Sequence, residues 1–128
     1  MKSFITHVAL YAEDLEKVKN FYVKYFDGVS NEKYVNAKGF SSYFISFASG
    51  ARLEVMAHQE LMNREAADRV NGLNHIAFAV GSKDAVLELT QQLIADGYDL
   101  LSPPRTTGDG YFESCVSDPE GNRVEICE

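Results

Sequence analysis

Two histidines and two glutamates occupy matching places in two similar halves of this 128-residue chain. The sequence around His7 resembles the sequence around His75, and these two histidines are 68 positions apart. An Arg-x-Glu segment that contains Glu54 recurs 71 positions later around Glu125. Imidazole nitrogens and carboxylate oxygens together suit borderline divalent metals such as Zn, Ni, Co, Mn or Fe(II). The repetition therefore predicts one metal site with a histidine and a glutamate from each half.

A third match supports the internal repeat. The Tyr-Phe pair that begins at Tyr43 recurs at Tyr111, again 68 positions later. The larger offset between Glu54 and Glu125 predicts three extra residues in the second half, which we place in the turn at 118–122. The tip of a hairpin tolerates insertions, so this position for them is physically reasonable.

Each half has the same predicted order of elements, namely a strand, an amphipathic helix and three further strands. In the first half, Asp14 is the expected cap of the helix and Gly28 its stop. In the second half, Ser82 or Asp84 begins the helix and Gly97 ends it. The length suits a single domain. Its expected parts are a first module at about residues 1–57, a linker at 58–71 that forms a surface connector, and a second module at 72–128.

Strand alternation places the four polar residues on a common face. Successive side chains of a strand point to opposite sides of the sheet, so the apolar neighbours of each His and Glu face the helices. His7, Glu54, His75 and Glu125 are then expected to face away from the helices, where alanines leave space. Two carboxylates neutralise a divalent ion, and four ligands of an octahedral metal leave two positions for substrate oxygens.

Charge and composition exclude several classes of partner. The net charge of −7 and the isoelectric point near 4.9 disfavour nucleic acid and anionic membrane surfaces as partners. No apolar run of about 18 residues is present, so no membrane span is expected. Two cysteines are too few for a disulfide scaffold, and Cys115 and Cys127 are expected to be free thiols in a reducing cytoplasm.

The sequence resembles the vicinal oxygen chelate superfamily, which includes glyoxalase I. The resemblance covers nearly the whole chain and rests on His7, Glu54, the stretch around His75 and the segment 118–125. It implies an α+β fold of paired βαβββ modules, which form a U-shaped sheet around a metal-binding cleft. It also implies a homodimer, with the site built within one chain or across two.

The order of the ligands narrows the resemblance to bacterial glyoxalase I. The resemblance implies that His7, Glu54, His75 and Glu125 bind the metal. A lactoylglutathione lyase-like enzyme would isomerise a hemithioacetal or a related α-hydroxycarbonyl through an enediolate. Glu125 would be the general base on the C–H bond, and Glu54 would return the proton or remain a ligand.

Two positions differ from the glyoxalase pattern and leave alternatives open. Those enzymes typically have Arg four residues after the first histidine, where it meets a carboxylate of glutathione, and this chain has Tyr11. They tend to have Asn four residues after the first glutamate, and this chain has His58, to which we assign no metal role. The alternatives are an acyl-CoA epimerase, a dioxygenase, or a protein that sequesters a small molecule without turnover. The residues expected to line the substrate pocket are Tyr11, Arg52, Met56, Tyr111 and Arg123.

Overall fold

The computed structural model describes residues 1–62, 64–65, 69 and 71–128. The chain forms two compact units, Met1–Arg64 and Glu65–Glu128. The division between them falls inside the segment 58–71 that the sequence predicts to be a linker, and part of that segment lies outside the described residues. Neither described helix combines the length and the apolar character that a membrane crossing requires.

The first unit is a mixed sheet with one helix. Strand β1 runs parallel to β5, whereas β4 is antiparallel to β5, to β2 and to β3. The sheet has five strands in the order β1-β5-β4-β2, with β3 paired to β4. The elements are β1 (His7–Tyr11), α1 (Leu15–Phe26), β2 (Val29–Ser30), β3 (Tyr34–Val35), β4 (Phe40–Ser46) and β5 (Arg52–His58).

The second unit repeats this arrangement. Strand β6 is parallel to β9, and β9-β8-β7 continue as antiparallel neighbours in a four-stranded sheet. Pro103 and Pro104 lie in the edge strand β7, where the pairing with β8 is irregular between Ser102 and Arg105, and prolines in sheets are confined to such edges and bulges. The paired βαβββ modules of an α+β fold are confirmed. The elements are β6 (His75–Ala79), α2 (Lys83–Ala95), β7 (Leu100–Thr106), β8 (Phe112–Ser117) and β9 (Arg123–Cys127).

Side-chain caps begin both helices. The carboxylate of Asp14 accepts a hydrogen bond from the Lys17 amide at 3.0 Å, as the sequence predicts. The hydroxyl of Ser82 accepts from the Ala85 amide at 3.1 Å, so Ser82 rather than Asp84 caps α2. The residue in the left-handed conformation at the end of α1 is Asp27, with φ of 52°, and not Gly28.

The helices cover one face of each sheet. In the first unit, Val18 and Tyr22 of α1 and Val55 of β5 are completely buried. In the second unit, Val86 of α2 and Ile126 of β9 are completely buried in the same way. Burial of these side chains leaves the opposite face of each sheet for polar residues, because successive residues of a strand point to opposite faces.

The register of the last two strands corrects one part of the predicted repeat. Phe44 pairs with Glu54, and Cys115 pairs with Glu125, so an offset of 71 relates both strands of the hairpin. Tyr111 precedes β8 and is not the counterpart of Tyr43. A two-residue resemblance was a weaker guide than the ladder of hydrogen bonds, which fixes which residues are opposite each other.

The same register relocates the three extra residues of the second half. The loop between β4 and β5 spans residues 47–51, and the loop between β8 and β9 spans 118–122, so the two tips have equal length. The prediction of an insertion in the turn at 118–122 is therefore wrong. The extra residues lie upstream, between the start of α2 and the start of β8.

Gly28 is needed for a close approach to the sheet. A Cβ atom at this position would lie 2.5 Å from Ile45 Cγ2 and 3.0 Å from the Tyr22 carbonyl oxygen. Ile45 is completely buried, so its side chain has little room to move. The glycine thus allows the chain to pass directly from α1 into β2 against the core.

We predict that Gly28→Ala lowers the free energy of unfolding by about 1–3 kcal/mol, because the added methyl group overpacks the core beside Ile45. Urea denaturation followed by circular dichroism measures this change. Gly108→Ala is the matched control, since a Cβ there meets no atom within 4 Å and is expected to change the free energy by less than about 0.5 kcal/mol. Equal stability of the two variants would contradict the packing argument.

Candidate functional site

In the first unit, the parallel pairing of β1 and β5 brings a histidine and a glutamate together. His7 is opposite Arg52, and Ala9 is opposite Glu54. These residues lie on the face away from the helix, because the intervening Leu53 is buried on the helix side. His7 Nε2 lies 3.8 Å from Glu54 Oε2. The small side chain of Ala9 leaves the space beside the carboxylate open.

The second unit contains the equivalent pair on β6 and β9. His75 is opposite Arg123, and Ala77 is opposite Glu125, so the register is the same as in the first unit. His75 Nε2 lies 3.1 Å from Glu125 Oε2. Both predicted ligand pairs are therefore adjacent in the fold, and each pair presents an imidazole Nε2 to a carboxylate.

The residue before each histidine contacts its other ring nitrogen. Thr6 Oγ1 lies 3.1 Å from His7 Nδ1, and Asn74 Oδ1 lies 2.8 Å from His75 Nδ1. The amide oxygen of Asn74 can only accept, so His75 donates from Nδ1. The neutral ring then presents the lone pair of Nε2 to the carboxylate of Glu125. Contacts of this kind fix the orientation and the tautomer of histidines that bind metals.

The structure brings the four predicted ligands together as pairs. Among residues 1–62, 64–65, 69 and 71–128, no three His, Cys, Asp or Glu side chains are grouped so that they could hold a metal ion. The site of four ligands stays a prediction.

The two His–Glu pairs differ in their neighbours, because the first has an aromatic side chain beside it where the second has a cysteine. The ring of Phe44 makes an edge contact with His7 at 5.3 Å between centroids, and the guanidinium of Arg52 lies 4.3 Å from its centre. The equivalent position in the second unit is Cys115, which has no ring. The first pair thus has an aromatic wall, and the side chain of Glu54 is 14% exposed against 26% for Glu125.

The five residues predicted for the substrate pocket occupy different surroundings. Tyr11 shares the ligand face with His7 and is opposite Met56. Arg52 and Arg123 lie directly beside His7 and His75, respectively, and Tyr111 is exposed in the loop before β8. Tyr11 also lines a cavity of about 360 Å³ together with His58, Glu60, Leu61 and Met62.

Sequence reasoning missed Glu113, a carboxyl group on the ligand face of the second unit. Glu113 is opposite Cys127 and is hydrogen-bonded to Glu125. Partial burial, this hydrogen bond and the negative charge of Glu125 raise the pKa of Glu113 above its ordinary value. The period-two pattern of β8 puts Glu113 and Cys115 on one face, and this signal could have found it.

The chain is similar in sequence to a known protein family and to a protein of Bacillus subtilis. Residues 4–126 match the family model described as the Glyoxalase/Bleomycin resistance protein/Dioxygenase superfamily. The chain is 30% identical over 124 residues to the uncharacterized protein YqjT of Bacillus subtilis, with 94% of each chain covered. This chain belongs to the Glyoxalase/Bleomycin resistance protein/Dioxygenase superfamily.

Two solved structures show the same fold at low sequence identity. A glyoxylase/bleomycin resistance protein/dioxygenase domain from Frankia has a TM-score of 0.83 at 18% identity, covering 99% of this chain and 98% of that one. The trypanothione-dependent glyoxalase I of Leishmania major has a TM-score of 0.79 at 18% identity, covering 99% of this chain and 87% of that one.

We predict that Glu113→Gln raises the melting temperature of chelator-treated protein at about pH 8 and leaves it nearly unchanged at about pH 4. A raised pKa in the folded state means that this carboxyl favours folding most at acidic pH. That contribution is lost as the pH rises through the folded-state pKa, when two carboxylates face each other. Differential scanning fluorimetry at both pH values measures the effect.

Glu88→Gln, on the exposed surface of α2, controls for the removal of one negative charge. It is expected to change the melting temperature little at either pH. If Glu113→Gln is less stable than the parent at pH 8, the charged carboxylate of Glu113 does not destabilise the folded protein, which would contradict the prediction.

Proposed function

We propose that this protein is a divalent-metal-dependent, glyoxalase I-like enzyme that isomerises a hemithioacetal or a related α-hydroxycarbonyl. The single observation that carries the proposal is the repeated contact between histidine Nε2 and a glutamate carboxylate, His7 with Glu54 and His75 with Glu125. Membership in the superfamily and the fold shared with the glyoxalase I of Leishmania major support it.

The chemistry of the donor atoms fits a divalent cation such as Zn, Ni, Co, Mn or Fe(II). The lone pair of His75 Nε2 faces the negatively charged Glu125 at 3.1 Å, and such a contact is repulsive unless a cation or a proton lies between them. Donors that bind one ion at about 2.0–2.2 Å lie about 3.0–3.4 Å apart. The 3.1 Å separation of His75 and Glu125 falls in this range, and the 3.8 Å separation of His7 and Glu54 is longer. His7, Glu54, His75 and Glu125 would therefore hold the ion.

The proposed reaction divides the work between the two glutamates. A bound divalent metal would supply Lewis-acid polarisation of adjacent substrate oxygens. Glu125 takes the proton from the substrate carbon, because its side chain is the more exposed of the two carboxylates. Glu54, against the aromatic wall of Phe44, returns the proton or remains a ligand.

The proposal requires the two pairs to converge, either within one chain or across two copies. A homodimer is the partner we propose. Strands β1 and β6 each lie at the edge of their own sheet, and the apolar residues Phe4, Ile5 and Leu73 just before them are exposed. Exposed apolar residues beside an open strand edge are typical of surfaces that another chain covers.

A second candidate function uses the same residues on another oxygen-chelating substrate. Tyr11 and His58 line the cavity of the first unit, and neither carries a permanent positive charge for a carboxylate of glutathione. Dioxygenase activity would consume oxygen, epimerisation of an acyl-CoA would exchange its α-proton with solvent, and a sequestering protein would bind without turnover. An assay panel with aerobic and anaerobic arms separates these outcomes.

We predict that protein purified without chelators contains about one divalent metal per chain, and that His75→Ala or Asn74→Ala lowers the affinity. Loss of a contact that orients a ligand typically costs tenfold to a hundredfold, so about that effect is expected for Asn74→Ala. Histidine binds metals as the neutral ring, so affinity is expected to fall between about pH 8 and about pH 5. Elemental analysis and calorimetric titration measure these changes.

His58→Ala is the matched control for the metal experiment. It removes an imidazole from the face of the first unit on which His7 and Glu54 lie, but from a residue that is not a proposed ligand. It is expected to retain the metal content of the parent. Metal affinity that is unaffected by His75→Ala, or that is constant across this pH range, would contradict ligation by histidine.

We predict that Glu125→Gln lowers turnover of the hemithioacetal of methylglyoxal and a thiol by about 10²–10⁴-fold, even with saturating metal, because the amide cannot accept the proton. Glu54→Gln is expected to weaken metal binding more than it slows the metal-saturated reaction. Glu88→Gln controls for charge. Full turnover by metal-loaded Glu125→Gln would remove Glu125 from the role of base.

A further inference from the structure

We propose that the cavity at the end of β1 and β5 is a specificity site for a neutral, largely apolar arm of the substrate that carries one hydrogen-bond acceptor. Tyr11, His58, Glu60, Leu61 and Met62 line this cavity of about 360 Å³. The inference rests on the proposed function for its link to turnover. It names the kind of substituent that the same face would select.

The strand register connects this cavity to the first ligand pair. Strands β1 and β5 are parallel, so their carboxyl ends lie at the same edge of the sheet. Tyr11 lies four residues after His7, and His58 lies four residues after Glu54, so each pair shares the ligand face. A substrate whose oxygens lie near His7 and Glu54 would therefore extend its remaining arm along this face toward Tyr11.

His58 is held as a hydrogen-bond donor. Its Nδ1 accepts a hydrogen bond from the backbone N–H of Glu60 at 3.0 Å. The proton of the neutral ring is then on Nε2, which is the reverse of His75, whose Nδ1 donates. Backbone hydrogen bonds from Gln59 N to the Gly39 carbonyl at 3.2 Å and from Leu61 N to the His58 carbonyl at 3.3 Å hold the segment in place. His58 thus offers an N–H to an acceptor oxygen and no lone pair to a metal.

The charge of the lining selects against anions. The described lining residues include the carboxylate of Glu60 and no lysine or arginine. An anionic group placed there would meet a like charge, with only one neutral N–H in return. A carbonyl or ether oxygen needs no counter-charge and matches the single donor of His58.

The apolar part of the lining and the volume set the size of the arm. The ring of Tyr11 is half exposed and the side chain of Met62 is largely exposed, so with Leu61 they form an adaptable apolar surface on the open side of the cavity. The volume lies near the lower end of the roughly 300–1,000 Å³ that small-molecule pockets have. An aryl ketone or a branched acyl group fits this space better than a charged tripeptide.

The test measures binding of three ring compounds to the full chain after treatment with chelator, by NMR titration. Acetophenone has an aromatic ring and one neutral acceptor, ethylbenzene has the same shape without the acceptor, and benzoate carries a negative charge. We expect acetophenone to bind roughly threefold to tenfold more tightly than ethylbenzene, because of one hydrogen bond, and benzoate to bind more weakly than acetophenone.

Substitutions distinguish the contribution of the His58 N–H from that of the Tyr11 ring. His58→Leu is expected to remove the preference for acetophenone over ethylbenzene, whereas His58→Gln, which keeps an N–H near the same place, is expected to retain much of it. Tyr11→Ala is expected to weaken both compounds, and Tyr34→Ala, an exposed tyrosine outside the cavity, to weaken neither. A preference that survives in His58→Leu, or binding that Tyr11→Ala does not change, overturns the proposal.

Turnover distinguishes failure of the cavity from failure of the proposed function. Metal-loaded protein is assayed with hemithioacetals of methylglyoxal that differ only in the thiol, namely glutathione and 4-acetylbenzyl mercaptan. If substitution of Tyr11 or His58 does not change turnover, and acetophenone does not bind selectively, the specificity site is overturned while the isomerase proposal stands. Selective binding that depends on His58, with no turnover of either compound, supports the site and overturns the isomerase.

Discussion

The parallel pairing of the first and last strand of each unit is the constraint on which the candidate site depends. In each unit, this pairing joins the strand before the helix to the last strand of the unit. It aligns His7 with Arg52 and His75 with Arg123, so that a glutamate two residues further along each last strand lies beside the histidine. A shift of one strand by one residue would turn the polar side chains of that strand toward the core. Burial of the alternate residues, such as Val55 and Ile126, therefore also holds the polar pairs on the open face.

Much of the fold could be predicted from the sequence, because its signals are local. Alternation in the strands predicts the face on which His7 and Glu54 lie, and the capping residues Asp14 and Ser82 mark the starts of the helices. Alignment of the two halves was less secure. The Tyr-Phe pair at Tyr111 suggested a match that the register of β8 and β9 contradicts, since pairing across a sheet is a long-range property.

The remaining features of the site depend on contacts between distant segments. Glu113 approaches Glu125 because β8 and β9 are neighbours, and no spacing in the sequence measures that approach. The donor state of His58 depends on a backbone N–H two residues away, in a segment without regular structure. Sequence reasoning assigned His58 no metal role, because it has no counterpart in the repeat, but only the hydrogen bonds of the folded chain distinguish its Nε2–H from the Nε2 lone pair of His75. A site of four ligands requires the two His–Glu pairs to come together, and the local sequence around one pair cannot predict the position of the other.

The difference between Phe44 and Cys115 at equivalent places has a consequence for the origin of the two halves. A duplicated gene segment begins with identical surroundings for both copies of every side chain. Here one glutamate is next to a hydrocarbon ring, and the other is next to a thiol and a second acid. The two carboxylates thus differ in the side chains that they contact and in their exposure, 14% for Glu54 and 26% for Glu125. Divergence of the neighbours, with each His–Glu pair itself unchanged, is thus sufficient to make two halves of common pattern chemically unequal.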